Sequence, residues 1–213
     1  MKKKINIFLI LLFLIPLNLG YAKSDKILII NDAEINNYIN SLSKPLLISS
    51  GLNENFVEVN IIFDDRINAF VTNGQRIFIH SGLITNSDDP GEITAVIAHE
   101  IGHITARHTA KRYTQTVGTS LLANILGVLA KNNAVGNLIN QSASLYLLSF
   151  SRSQEYEADL LATRYMIRAG FDPKEMANFL KKMEEYSLLQ RKILKSTKNN
   201  AELLQTHPNS SKR

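Results

Sequence analysis

Apolar residues follow three rhythms along the chain. The first is a near-continuous run, Ile5 to Leu17, behind the basic cluster Lys2, Lys3 and Lys4 and ahead of the small residues Gly20 and Ala22. This is the anatomy of a secretory signal, with cleavage expected before Lys23. Asn6, Pro16 and Asn18 break the run, and it is short for a membrane span. The second rhythm is alternation. Phe56, Val57, Val59, Ile61 and Phe63 predict a strand, and Asp64-Asp65-Arg66 the turn that ends it. Asn68–Val71 and Arg76–His80 predict a hairpin joined through Thr72-Asn73-Gly74-Gln75, because Asn-Gly between two β-prone runs is the strongest short-range hairpin signal.

The third rhythm is a helical spacing of three and four. Ile35, Tyr38, Ile39 and Leu42 follow the cap Asp32, after a short apolar stretch, Ile27 to Ile30. Ile93, Val96, Ile97, Ile101 and Ile104 follow Asp89-Pro90-Gly91-Glu92, which joins a capping aspartate, a proline at the first helical position and a glutamate three residues after the cap. That helix is expected to run on through Arg107 to about Thr116. A further helix opens at Ser151, carries Leu160, Leu161, Tyr165 and Met166 inward and ends at Gly170. The last begins at Asp172-Pro173-Lys174-Glu175, with Met176, Phe179, Leu180 and Met183 at core spacing. Leu121–Ala130 and Leu138–Leu148 are too short to cross a bilayer and read as core helices. Their alternative reading is an apolar flap or a surface in peripheral contact with a membrane.

These elements predict a mainly helical α+β chain with a small β-hairpin or sheet. At 213 residues and 45% hydrophobic, it is long enough for one cored domain, residues 23–213, after a signal peptide at residues 1–22. The formal charge of +5 falls when Lys2, Lys3 and Lys4 are removed, leaving 21 basic against 19 acidic residues. That balance excludes a nucleic-acid footprint. No cysteine is present, so there is neither a disulfide framework nor a lipid-anchoring thiol. The expected compartment is exported, most simply a bacterial periplasm.

Candidate chemistry centres on His99-Glu100-Ile101-Gly102-His103. Two histidines four residues apart stack on one helix face and can share one Zn²⁺, while Glu100, too far round the helix to be a ligand, takes a proton from the water that the metal activates. Val96, Ile97, Ile101 and Ile104 imply that the helix is buried, where an unpartnered glutamate is costly. Gly102 lets another backbone come close. A catalytic zinc generally has a third protein ligand. Glu155 and Asp159 share one face of the helix opened by Ser151, and Glu157 points elsewhere. Glu155 is then the third ligand, with Asp159 orienting a ligand imidazole. His80 and His108 are expected to be structural and solvated, respectively. The hairpin either takes up an extended substrate on its exposed edge or is purely structural.

Together, His99-Glu100-Ile101-Gly102-His103, Ser151-Arg152 and Glu155-Tyr156-Glu157-Ala158-Asp159 resemble the zinc metallopeptidases that include the heat-shock protease HtpX and the CAAX prenyl proteases. Asn68-Ala69-Phe70 and Gly82-Leu83 resemble that family's hairpin region, and among its exported forms the chain is similar to the periplasmic β-barrel assembly-enhancing proteases. The resemblance implies a zincin-like (gluzincin) fold and one Zn²⁺ held by His99, His103 and Glu155. It also implies Glu100 as general base and Asp159 as support for a ligand histidine. Thr206-His207-Pro208 and Arg213 look like the family's later motif, which implies that His207 and Arg213 stabilise the oxyanion and that His207 caps the zinc in a latent state. Implied partners are misfolded or membrane-associated protein substrates and the outer-membrane assembly machinery. The tetratricopeptide-repeat domain usual in the periplasmic relatives is read as absent after Arg213. A non-catalytic, zinc-stabilised periplasmic chaperone is the rival reading, and Glu100 argues against it, since a structural zinc site needs no base.

Overall fold

The computed structural model describes residues 27–72, 75–129, 150–194 and 207. The expected signal peptide, Asn73-Gly74, the run Leu138–Leu148 and Arg213 lie outside them. The sheet is small and mixed, formed by β1 (Ile29–Ile30), β2 (Glu58–Ile62), β3 (Ala69–Thr72) and β4 (Arg76–His80) in the order β1-β2-β4-β3. The expected hairpin is there as antiparallel β3 and β4, with Val71 opposite Ile77 and Ala69 opposite Ile79. β2 runs parallel to β4, pairing Val59 with Ile77 and Ile61 with Ile79, a partnership that the periodicity did not reveal. Ile61, Ile77 and Ile79 are buried on the core face, but Phe56 and Phe63 lie outside β2 and are exposed.

Helix α1 (Ala33–Ser50) starts where expected, with Asp32 accepting hydrogen bonds from the N–H groups of Glu34 and Ile35. It buries Ile39, Leu42, Leu46 and Leu47, while Ile35 and Tyr38 stay partly exposed. A short helix, α2 (Ser81–Thr85), leads to α3 (Pro90–Thr105), capped by the Asp89 carboxylate on the N–H of Gly91. The Glu92 side chain reaches past the cap to the N–H of Asp88. α3 is buried on nearly every side, so it is the axis of the molecule.

Three expectations need correction. α3 ends at Thr105 instead of running to Thr116: Arg107 takes a left-handed conformation (φ 57°), and the chain turns sharply into α4 (His108–Leu129). Leu121 and Leu122 on α4 are exposed, so they are not core; side chains beyond them fall outside the described residues. In α5 (Arg152–Ala169) the inward stripe is Glu155, Ala158, Ala162, Tyr165 and Met166, and Leu160 is exposed. The reason is close approach. A methyl at Gly102 would lie 2.7 Å from the Ala158 carbonyl oxygen, so α3 and α5 meet through small residues. Helix α6 (Lys174–Leu194) closes the core with Met176, Phe179 and Met183. No helix among the described residues is long and apolar enough to cross a membrane.

Candidate metal centre

α3 carries His99, Glu100 and His103, all buried, and α5 brings Glu155 against them. Ser151 makes this placement possible. Its hydroxyl accepts from the N–H of Gln154 while the Gln154 side chain returns to the N–H of Ser151, so α5 begins at Arg152 and buries Glu155 in its first turn. His207 arrives from the far end of the chain and is also buried. One ligand atom from each of His99, His103, Glu155 and His207 lies within 4.8 Å of the others.

Nε2 of His99 and Nε2 of His103 are 3.0 Å apart, and they stand 3.5 Å and 3.4 Å from the two Glu155 oxygens. His207 Nδ1 is 3.0 Å from Glu155 Oε1 and 3.1 Å from His99 Nε2. Donors around a tetrahedral ion at about 2.0–2.2 Å stand roughly 3.3–3.6 Å apart; the separations here, 3.0–3.5 Å, are close to that spacing or slightly inside it, and the nitrogen-and-oxygen donor set suits one divalent metal ion. Glu100 is not a donor in it. Both its oxygens are buried with no hydrogen-bond partner among the described residues, and Oε1 lies 3.4 Å from His207 Nε2. Such a group needs a partner that the described residues do not provide.

The electrostatics reinforce this division. Burial pushes the Glu100 carboxyl above the ordinary carboxylate range, against the pull of His207 and His99. Burial also acts to raise Glu155, but the charge on His207 and hydrogen bonds with His103, His207 and His99 outweigh it and hold the carboxyl well below that range. Burial pushes His103 well below the usual imidazole value. It acts on His99 the same way, but hydrogen bonds to Asp159 and Glu155 override it and bring His99 up to about 9.

Residues 33–213 match the sequence model of Peptidase family M48. The chain belongs to this family. It is 32% identical to the β-barrel assembly-enhancing protease of Yersinia pestis over 189 residues, covering 84% of this chain and 37% of that protein. The corresponding protease of Escherichia coli K12 is 31% identical with the same coverage. The mitochondrial metalloendopeptidase OMA1 of Saccharomyces cerevisiae is 32% identical over 73% of this chain and 44% of its own length. The chain therefore spans less than half the length of these relatives.

Within this M48 domain, Asp159 Oδ1 lies 2.9 Å from His99 Nδ1. His80 stays away from the cluster, its ring edge-on to Phe70 and its Nδ1 3.6 Å from Asp64. His108 was expected in solvent and is instead wholly buried, with Nδ1 3.0 Å from His103 Nδ1 and Nε2 3.1 Å from Glu157 Oε2. The left-handed turn at Arg107 folds His108 back beneath the M48 helix, and a straight helix through Thr116 would have pointed it elsewhere. Phe150 was also missed. Its ring stacks on His103 at 3.8 Å, and the Arg112 guanidinium lies 3.5 Å over the Phe150 ring. An apolar residue directly before the Ser151 cap was the one available signal.

Proposed function

We propose that the chain is a zinc-dependent endopeptidase of the cell envelope, exported by its amino-terminal signal and acting on misfolded or membrane-associated proteins. One observation carries the reading. Three histidines and a glutamate converge in a buried cluster beside a second glutamate whose oxygens have no hydrogen-bond partner among the described residues. His99, His103 and Glu155 are the ligands, and Asp159 holds the ring of His99 through Nδ1. The M48 relatives named β-barrel assembly-enhancing protease support an envelope location and an outer-membrane assembly context.

When bound, the zinc supplies Lewis-acid activation of water and of the scissile carbonyl. Glu100 does the proton work. Burial raises its proton affinity above that of an ordinary carboxylate, which suits it to accept a proton at one oxygen and deliver it to the departing amine. Catalytic zinc keeps one position open, and His207, beside the other three residues, would supply a fourth protein donor that closes it. On opening, His207 and Arg213 serve the oxyanion. The test is cleavage of an unfolded protein by the zinc-loaded chain beside Glu100→Gln. The substitution is expected to retain zinc and to lower cleavage by about 10²–10⁴-fold. Equal cleavage by both would refute the role of Glu100, and zinc retention without cleavage by either would favour a chaperone.

A further inference from the structure

His108 is a fully buried imidazole that the proposed chemistry does not use, and its two nitrogens have different neighbours. Nε2 lies 3.1 Å from the carboxylate of Glu157, and Nδ1 lies 3.0 Å from Nδ1 of His103. We propose that Glu157 and His108 form a positioning relay that fixes the tautomer of His103, turning its Nε2 lone pair toward the metal position. The proposal rests on the reading of His99, His103 and Glu155 as zinc ligands.

The direction of the relay follows from the group at its outer end. An ionised carboxylate only accepts, so the Glu157 contact places a proton on His108 Nε2. Neutral His108 then has its lone pair at Nδ1. Since that atom faces His103 Nδ1, His103 must be the donor there, and its own lone pair stays on Nε2. Nε2 is the atom that faces His99 Nε2 and Glu155. The reverse polarity would put a proton on His103 Nε2 and remove it as a ligand. Phe150, stacked on His103 at an interplanar angle of 25°, already limits the ring's orientation, which leaves the proton's position as the main remaining freedom. His99 reaches the same state by a shorter route, with Nδ1 directly against Asp159. The two ligand imidazoles are thus set from opposite sides by carboxylates two residues apart on α5, and Glu157 reaches His103 only through His108. Groups that orient a ligand in this way typically contribute about 10–100-fold to metal affinity.

The Glu157 side chain is 55% exposed, so it can be changed without disturbing the core. Zinc affinity of the full chain is measured by competition with a chromophoric chelator for wild type, Glu157→Gln, Glu157→Leu and Glu155→Ala, with far-UV circular dichroism of the metal-free proteins as the check on folding. Gln and Leu remove the same charge, but only Gln keeps an acceptor oxygen. Glu157→Leu is expected to weaken zinc binding about 10-fold, and Glu157→Gln by no more than about 3-fold. Equal losses in the two, or none in either, overturn the relay while leaving the ligand reading intact. Wild type that binds no zinc, or Glu155→Ala that binds like wild type, overturns the ligand reading and the relay with it. The tautomer is read independently by ¹⁵N-histidine NMR of the zinc-loaded chain. A neutral His108 protonated on Nε2 is expected, and a proton on Nδ1 instead overturns the relay.

Discussion

Replacing Gly102 by alanine tests how closely the metal centre depends on the approach of two helices. The new Cβ would sit 2.7 Å from the carbonyl oxygen of Ala158 and 3.1 Å from its Cα. Favourable carbon contacts lie at roughly 3.5–4.0 Å, so α3 and α5 must separate by several tenths of an ångström or more. On an unobstructed helix the same change stabilises by about 0.5–1 kcal/mol, because glycine loses more conformational freedom on folding. Overpacking costs about 1–3 kcal/mol, and here the obstacle is backbone, which cannot rotate aside as a side chain would. The net effect should be a loss of about 1–2 kcal/mol, which for a chain of this size lowers Tm by about 2–8 °C. Ala158 lies three residues beyond Glu155 on the same buried stripe, so the displacement reaches the site, and zinc affinity should fall as well. Thermal melts of the metal-free chain, paired with zinc titration, measure the two effects separately. A metal-free Gly102→Ala chain melting at or above wild type would refute the close-approach argument.

Two further outcomes concern the frame around the site. Lys182 on α6 reaches Asp88 Oδ2 at 2.6 Å and Glu92 Oε2 at 3.0 Å, joining α6 to the start of α3. Burial works against its charge, but the two carboxylates hold its pKa above the usual lysine value. Lys182→Met should cost about 1–2 kcal/mol in calorimetry, because it leaves the buried Glu92 without its cation, and should leave zinc affinity unchanged; an unaltered melting temperature would count against the bridge. The Arg66 guanidinium holds the Asp64 carboxyl down to about 2 despite the opposing effect of burial. A depressed carboxylate contributes stability above its unfolded pKa of about 3.9 and loses it as pH falls through the folded value. Wild type should therefore lose more stability than Asp64→Asn between pH 4 and pH 2. The difference should be no more than about 1 kcal/mol, because Arg66 is half exposed and solvent screens the pair; parallel acid profiles would remove this contribution.

What the chain carries locally was legible in advance. Asp32, Asp89 and Ser151 announce helix starts because a cap needs only a side chain and the N–H groups two or three residues on. The pairing of β3 with β4 and the four-residue spacing of His99 and His103 are likewise short-range. Glu155 and Asp159 were readable as one face of a helix for the same reason. Large apolar side chains misled where they stood for burial, since Leu160 lies in solvent while Ala158 and Ala162 make the contact.

Tertiary structure decided what depends on partners distant in sequence. The parallel pairing of β2 with β4 has no signature in either strand alone, because each alternates the same way whatever lies beside it. The end of α3 at Thr105 turns on one left-handed residue, Arg107, which is not a glycine and so gives no warning. That turn buries His108, links His103 to Glu157 and lets Phe150 stack on His103. His207, more than a hundred residues from His99, enters the cluster only because the fold leaves space beside Glu100 and Glu155. The sequence by itself determined which side chains can ligate a metal and move a proton, since those are properties of residue types at helical spacing. Which of them meet, and which imidazole nitrogen faces the cluster, was decided by tertiary structure, because distances of about 3 Å between groups far apart in the chain exist only once the helices have packed.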